Sequence, residues 1–248
     1  MRGVRGRFVI RTIAGLFAAT ITISLIAACG GGASGQGASN AGERSAGSSK
    51  PAAVVEFVGA SVTRGLYASA GQHAYPADVV AALWGRGENV RPRVLAIPGA
   101  TVREALTWKI DQPANIVVVH MGSNNFVHNT PLSEFTPPYA ALLAALRKAS
   151  PKADLVCLGE WHRPHIYNRL GNTPEDFDAL IADACAKNGG TFEQLDQVYS
   201  VASYHGPLSR RTPFGRADLH HPNDAGSAAI AQIVLQGLQQ QPPLSSTY

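Results

Sequence analysis

Short apolar runs alternate along the chain with segments of helical periodicity between residues 53 and 240. The runs at 54–58, 94–97, 116–121 and 155–158 are apolar and typical of buried strands, and the first of them is rich in β-branched and aromatic residues. A weaker fifth strand is predicted over 191–195. This alternation predicts a parallel sheet covered by helices on both of its faces.

Helices are predicted where apolar residues recur at helical spacing and capping residues mark the ends. Thr173 and Pro174, followed by two acidic residues, are typical of a helix start, and Gly189 is typical of its end. Thr101 is suited to cap a short helix that reaches Trp108. The predicted helices cover 76–84, 101–108, part of 131–149, 173–188 and 224–238.

The first 28 residues are predicted to be an export signal. Four arginines and no acidic residue accompany an apolar run over 13–28 that ends on small residues. The four residues ending at Cys29 resemble the lipobox of bacterial lipoproteins. This resemblance implies cleavage before Cys29, lipidation of its thiol, and an exported protein lipid-anchored to a bacterial membrane, at the periplasmic face or the cell surface. A secreted protein with an incidental cysteine is the alternative.

Composition divides the rest of the chain into a tether, one domain and a tail. Residues 29–52 carry the lipidated cysteine and are rich in Gly, Ser and Ala, which predicts a flexible tether. Residues 53–240 suffice for one domain with its own core, which we expect to be monomeric, and 241–248 form a polar tail. The export signal holds four of the 21 Lys+Arg, which leaves 17 against 17 Asp+Glu, so the charge gives no reason to expect nucleic acid as a partner.

A serine, two histidines and an aspartate form a candidate nucleophilic site. Ser61 follows the first predicted strand, at the sheet edge where open α/β folds bind ligands. A serine hydroxyl becomes a good nucleophile when a base takes its proton, and His220 or His221 is suited to that role. Asp218, just before them in the chain, would fix the tautomer of that imidazole.

Acyl transfer also needs hydrogen-bond donors for the oxyanion that forms on the attacked carbonyl. Gly99 follows the second predicted strand and Asn124 the third, so both share the edge of Ser61. The backbone N–H groups of Ser61 and Gly99 and the amide of Asn124 are the candidate donors.

Four segments resemble, in the same order, the four blocks of the SGNH (GDSL-type) hydrolases: 59–61 (Gly-Ala-Ser), Gly99, 122–125 (Gly-Ser-Asn-Asn) and 218–223 (Asp-Leu-His-His-Pro-Asn). The resemblance covers essentially the whole domain. It implies a three-layer α/β/α, flavodoxin-like fold with a parallel five-stranded sheet, and hydrolysis or transfer of acyl groups. It further implies Ser61 as nucleophile, His221 as base, Asp218 as its partner, and Ser61, Gly99 and Asn124 as oxyanion donors.

Two positions depart from the pattern of that family. Ala60 stands where Gly-Asp-Ser has its aspartate, and Asn125 stands where Gly-x-Asn-Asp has its aspartate. Neither departure removes the nucleophile, the base or the oxyanion amide, so we expect altered loop positioning with activity retained.

The segment 160–169 follows the fourth strand and should border the same cleft. Trp161 or Tyr167 is suited to stack on a sugar, and Arg163 or Arg169 is suited to donate hydrogen bonds to it; the alternative is a solvated loop. No cofactor and no metal site are predicted, because the nearby histidines lack a closed carboxylate/histidine motif.

Cys157 and Cys185 remain after Cys29. In an exported protein they form either a disulfide or two buried thiols, and spacing alone does not decide between these.

Together these features predict a serine esterase acting on small acyl esters, acetyl groups on carbohydrate among them. An acyltransferase to a sugar hydroxyl and a non-catalytic surface binding protein on a degenerate hydrolase fold are the alternatives.

Overall fold

A computed structural model describes residues 52–240, and five parallel strands form the centre of this part of the chain. The predicted signal peptide, Cys29, the tether before residue 52 and the polar tail lie outside the described residues. The strands are β1 (Ala53–Gly59), β2 (Val90–Ala96), β3 (Ile116–His120), β4 (Asp154–Leu158) and β5 (Thr191–Glu193). Their order across the sheet is β2-β1-β3-β4-β5.

The inner strands are the most apolar ones because helices cover both of their faces. Every residue of β3 is buried. β1 lies between β2 and β3, with Val55 opposite Pro92 on one side and Ile116 on the other. Pro92 and the exposed residues of β2 suit its place at the edge of the sheet.

Helices cover the sheet on both sides and divide the core in two. Side chains of α3 (Val102–Ala105), α5 (Leu132–Ala149) and α6 (Pro174–Lys187) pack on one face. Side chains of α2 (Tyr75–Gly85) and α8 (Asp224–Gln239) pack on the other. The predicted fold class, an α/β/α sandwich on a parallel five-stranded sheet, is confirmed. The remaining helices are α1 (Ser61–Arg64), α4 (Ser123–Val127), α7 (Asp196–Tyr199) and two 3₁₀ turns, Gly71–His73 and Ala202–Tyr204.

Two capped helix starts fix the loops that precede α6 and α8. The Thr173 hydroxyl accepts from the Asp176 N–H at 3.3 Å, and the Asp176 carboxylate accepts from the Thr173 N–H at 2.7 Å. The Asn223 side chain accepts from the Gly226 N–H at 3.0 Å. Asn223 therefore anchors the chain directly after the candidate histidines.

Cys157 in β4 and Cys185 in α6 form a disulfide with a Cα–Cα distance of 6.1 Å. The bond crosses one of the two core layers and attaches α6 to the sheet. Of the two alternatives that the sequence leaves open, a disulfide and two buried thiols, the structure has the disulfide.

Some elements differ from those that the sequence pattern predicts. The helix expected to reach Trp108 ends at Ala105, and the fifth strand ends at Glu193. A two-stranded hairpin, Arg211–Thr212 with Gly215–Arg216, was not predicted, since two-residue strands carry no periodicity. Between residues 52 and 240 no helix has the length and apolar character needed to cross a membrane.

Candidate active site

The candidate residues meet at the edge of the sheet where the strands end. Ser61 is the first residue of α1, which begins two residues after β1 ends. Asn124 lies in α4, which begins three residues after β3 ends. Asp218 and His221 lie in the loop before α8. Parallel strands place these loops side by side, although the chain separates them by as many as 160 residues.

Ser61, His221 and Asp218 form a continuous hydrogen-bonded chain. The Ser61 hydroxyl donates to Nε2 of His221 at 2.9 Å. The Nδ1–H of His221 donates to Oδ2 of Asp218 at 2.8 Å. An ionised carboxylate only accepts hydrogen bonds, so the His221 tautomer protonated at Nδ1 leaves Nε2 free to take the serine proton.

Asp218 orients its own loop as well as the imidazole. Its Oδ1 accepts from the backbone N–H of His220 at 2.9 Å and of His221 at 2.8 Å. Partial burial opposes ionisation of Asp218, but the hydrogen bonds from His221 and His220 outweigh it and hold the pKa of Asp218 below its ordinary value. The carboxylate is therefore charged at neutral pH, as a partner of an imidazole must be.

His220 points away from the serine. Its Nδ1 lies 3.1 Å from the Tyr199 hydroxyl, and its carbonyl oxygen accepts from the Trp161 indole N–H at 2.8 Å. Burial, reinforced by neighbouring His162, lowers the pKa of His220 to about 4. Of the two histidines that the sequence pattern leaves open, only His221 contacts Ser61.

The proposed oxyanion donors lie in the segments that follow β1, β2 and β3. Ser61 begins a helix, so its N–H has no intrahelical partner. Gly99 has φ +84°, in the left-handed region that favours glycine, and it is exposed in the turn after β2. One N–H of the Asn124 amide donates to the carbonyl of Ala100 at 2.9 Å, which fixes the amide and leaves its second N–H free.

Ala60 and Asn125, the two departures from the family pattern, each make contacts that explain their place in the structure. Ala60 packs against the core cluster beneath α3 and α5. The Asn125 side chain accepts from the Val102 N–H at 3.1 Å and donates to the Thr130 hydroxyl at 3.3 Å. An ionised aspartate could not donate the second bond. Asn125 thus ties the loop of Asn124 to the start of α3.

A family model of the GDSL-like lipase/acylhydrolases matches residues 57–229. The chain belongs to this family. No curated protein sequence matches this GDSL-like hydrolase.

Several solved structures share its fold at low sequence identity. A carbohydrate esterase family 2 enzyme with a carbohydrate-binding domain from Corynascus thermopiles (Myceliophthora fergusii) has TM-score 0.58 and 14% identity, over 76% of this chain and 66% of that chain. The salicylyl-acyltransferase SsfX3 from a tetracycline biosynthetic pathway has TM-score 0.59 and 15% identity, over 77% and 55%. A mutant of Axe2, an acetyl-xylooligosaccharide esterase from Geobacillus Stearmophilus, has TM-score 0.60 and 16% identity, over 78% and 97%. The chain thus spans less than two thirds of the length of the first two.

Tyr67 is a neighbour of the triad that sequence reasoning missed. Its ring lies edge-on to the imidazole of His221, with centroids 5.1 Å apart and planes at 87°. Its carbonyl accepts from the Arg210 guanidinium at 2.9 Å, and Arg210 lies 3.8 Å from Asp224 in α8. Its φ of +67° is unusual for a residue with a side chain. No local sequence pattern predicts this backbone conformation, which is why the position of Tyr67 was missed.

Glu160 and Asp178 form a buried acidic pair beneath the loop that carries Asn124. A Cβ on Gly122, whose φ is +139°, would lie 2.1 Å from Oε1 of Glu160, so only glycine fits there. Asp178 in α6 accepts from the Glu160 N–H at 2.7 Å. Next to Glu160, the Trp161 N–H donates to the Ser123 hydroxyl at 3.1 Å. The loop that carries Asn124 is thus supported by α6 and by the segment that follows β4.

Burial governs the charge of both acids. It raises the pKa of Glu160 well above its usual range, reinforced by Asp178, with a smaller opposing effect of Ser123. Burial also raises the pKa of Asp178 to about 7, although the Glu160 N–H favours its charged form. Burial therefore favours the protonated form of both groups beneath Gly122.

We predict that Asp178→Asn removes a pH dependence of stability. In the wild type the unfolded chain ionises Asp178 near the ordinary aspartate pKa of 3.8, but the folded protein keeps the proton to about pH 7. The folded state then binds more protons than the unfolded state, so its stability falls as the pH rises between these values and levels off above. Relative to wild type, the variant should gain a few kcal/mol of unfolding free energy across this window, at about 1.4 kcal/mol per pKa unit.

Urea unfolding at several pH values from 4 to 8 measures this difference. Asp183→Asn, at an exposed position of the same helix, is the control and should keep the wild-type slope. Parallel curves for Asp178→Asn and wild type would contradict the assignment.

The loop after β4 meets only part of the expectation for a substrate loop. Trp161 is 0% exposed and packs against Tyr199 with ring centroids 5.1 Å apart, so it is not available to stack on a sugar. Its apolar ring fills the core beside the segment 218–221. The polar residues on either side of Trp161 in the chain gave no sign of this burial. Tyr167 is 73% exposed, and Arg163 is exposed and lines a groove.

The histidines near the site do not come together as metal ligands. The ring of His162 packs between those of Phe126 and His220, whereas His165 is exposed and pairs with Glu175 at 3.0 Å. Over residues 52–240 no group of three or more His, Cys, Asp or Glu side chains is placed to hold a metal ion.

Proposed function

We propose that this GDSL-like hydrolase is a serine esterase that hydrolyses small acyl esters, with acetyl groups on carbohydrate as the preferred class. The observation that carries the proposal is the 2.9 Å contact between the Ser61 hydroxyl and Nε2 of His221, with Asp218 behind the imidazole. Two of the enzymes with a similar fold are described as a carbohydrate esterase and an acetyl-xylooligosaccharide esterase, which favours the same substrate class here.

The proposed mechanism has two acyl-transfer steps. His221 takes the proton of Ser61 while Oγ forms a bond to the ester carbonyl carbon, and the carbonyl π electrons move onto its oxygen. The N–H groups of Ser61, Gly99 and Asn124 stabilise that oxyanion. When the C–O bond to the alcohol breaks, His221 gives its proton to the leaving alkoxide. Water then repeats the sequence on the acyl-enzyme, releasing the acid and restoring Ser61.

Hydrolysis of p-nitrophenyl esters from acetate to octanoate tests this function. We expect the highest kcat/KM at acetate and a decline with chain length. A maximum at octanoate would contradict the small-acyl assignment. The absence of turnover above background throughout the series would favour the binding-protein alternative.

An acyltransferase would use the same acyl-enzyme with a sugar hydroxyl in place of water. One protein of similar fold is described as a salicylyl-acyltransferase, so this alternative has a structural counterpart. Mass spectrometry of reactions with added sugar separates the two activities. A hydrolase leaves the sugar unmodified, whereas acyl groups on the added sugar would assign the transferase.

We predict that Asn124→Ala lowers kcat by about 10²- to 10³-fold, because one positioned donor to the oxyanion is lost. The effect should appear in kcat more than in KM, since the oxyanion exists only beyond the ground state. Asn172→Ala, on the loop after β4, is the control and should behave like wild type. An Asn124→Ala enzyme within threefold of wild type would exclude this amide from the oxyanion hole.

We also propose that the protein is exported and held at a membrane by a lipid on Cys29. The lipobox-like segment and the Gly/Ser-rich stretch after it support this placement. We expect wild-type protein in the membrane fraction. The Cys29→Ala protein should carry no lipid and should be either soluble or still attached to its signal peptide. Wild-type protein that is recovered without lipid at Cys29 would contradict the proposal.

A further inference from the structure

A groove of about 420 Å³ opens beside the triad loop, the segment 218–221. It is lined by Arg163, Pro164, Tyr199, Ser200, His205 and Leu219. Its volume falls within the range of small-molecule sites. A larger groove of about 490 Å³, which includes Val54, Arg91 and Lys152, lies at the opposite end of the strands and so away from the triad.

The groove and the triad share one loop. Leu219 lies between Asp218 and His220 in the chain, and the residue is 60% exposed. Two other lining residues hold the same segment in place: the Tyr199 hydroxyl lies 3.1 Å from Nδ1 of His220, and Nδ1 of His205 lies 3.0 Å from the His220 carbonyl. A group bound in the groove would therefore lie against the segment that carries the base.

Among the residues that line the groove, Arg163 carries the one permanent charge. Arg163 follows His162, whose ring packs on that of His220 with centroids 4.9 Å apart. Among the described residues, the Arg163 guanidinium has no hydrogen bond and no ion pair. No Asp or Glu lines the groove. Arg210, by contrast, is occupied by the Tyr67 carbonyl and Asp224.

We propose that this groove binds a carboxylate on the alcohol portion of the ester, as in an acylated acidic sugar, with Arg163 as its partner. The planar guanidinium matches a carboxylate with two parallel N–H···O bonds. Pro164 and Leu219 offer apolar surface to the ring that carries the carboxylate. This inference deepens the proposed function and rests on it for the position of the ester.

A matched pair of substrates tests the inference through turnover. 4-Acetoxybenzoate carries the carboxylate, and its methyl ester has the same acyl group and ring without the charge. The measured quantity is kcat/KM for 4-acetoxybenzoate divided by kcat/KM for its methyl ester, and it is compared between wild type and Arg163→Gln. The ratio should fall about tenfold or more in the variant, the effect of losing one hydrogen-bonded charge partner. Arg163→Lys should retain part of it.

Arg169→Gln removes an exposed arginine of the same loop that lies outside the groove, and it is the matched control. It should keep the wild-type ratio. Added salt should lower the ratio in the wild type and leave it unchanged in Arg163→Gln, because a solvent-accessible charge pair is screened. An equal ratio in wild type and Arg163→Gln would overturn the proposal.

A binding measurement separates failure of this inference from failure of the esterase proposal. Calorimetry with 4-hydroxybenzoate and its methyl ester needs no turnover. If neither acetoxy ester is hydrolysed but 4-hydroxybenzoate binds about tenfold more weakly to Arg163→Gln, the groove assignment stands and the esterase proposal falls. If hydrolysis depends on Ser61 but wild type and Arg163→Gln bind 4-hydroxybenzoate equally, the esterase proposal stands and the groove assignment falls.

Discussion

Replacing Ser61 by alanine should lower kcat for p-nitrophenyl acetate by at least about 10³-fold, because the acyl-enzyme then has no oxygen to form on. The substitution replaces the hydroxyl by a hydrogen atom and adds no bulk, so the fold should be retained. The lost hydrogen bond to His221 is part of a half-buried site, and its loss should cost no more than about 1.5 kcal/mol of stability.

Ser203→Ala is the matched control for this variant. Ser203 is exposed and its hydroxyl forms no hydrogen bond with the described residues. The control should retain wild-type kcat and KM, with initial rates measured at saturating ester. Equal rates for Ser61→Ala and wild type would mean that another group attacks the ester.

His221→Ala should lower kcat to a similar extent, since the serine proton then has no acceptor within reach. The double variant of Ser61 and His221, both changed to alanine, should be no slower than the worse single variant. Residues that act as one unit lose their joint contribution once, whereas independent contributions would multiply. His128→Ala, at an exposed histidine, is the control and should behave like wild type.

A double variant slower than either single variant by the product of their losses would contradict a shared proton-transfer step. So would a His221→Ala enzyme with nearly full activity, since no second histidine contacts Ser61 in the described part of the chain.

The strands and the order of the site loops were predictable because they depend on local patterns. An apolar run of β-branched residues needs no partner to be recognised, and a parallel sheet brings the loops after its strands to one edge. The contact of Ser61 with His221 follows from that topology. The choice of His221 over His220 came from the family resemblance, and the residues alone left it open.

Features that depend on register were not predictable. Glu56, a charge in an otherwise apolar strand, is directly opposite Arg93 of β2, and the two side chains pair at 2.9 Å. The sequence contains both residues, but only the strand register brings them together. The disulfide is similar: the positions of Cys157 and Cys185 allow it, and the packing of α6 on β4 brings their Cα atoms to 6.1 Å.

Burial of polar loop residues was the hardest feature to predict. Trp161 and Glu160 lie in a polar segment that is typical of an exposed loop, yet both are buried. Glu160 fills the space that a side chain on Gly122 would need, and Trp161 donates to the His220 carbonyl. These contacts join distant parts of the chain, so no local period encodes them.

Covalent labelling by a fluorophosphonate tests the central claim, an activated Ser61, most directly. Attack by the serine oxygen on phosphorus releases fluoride and leaves a stable adduct, which mass spectrometry of peptides locates. We predict one adduct per chain, on Ser61, and its loss after heat denaturation and in His221→Ala. The absence of an adduct on the folded protein, or an adduct on another residue, would contradict the account.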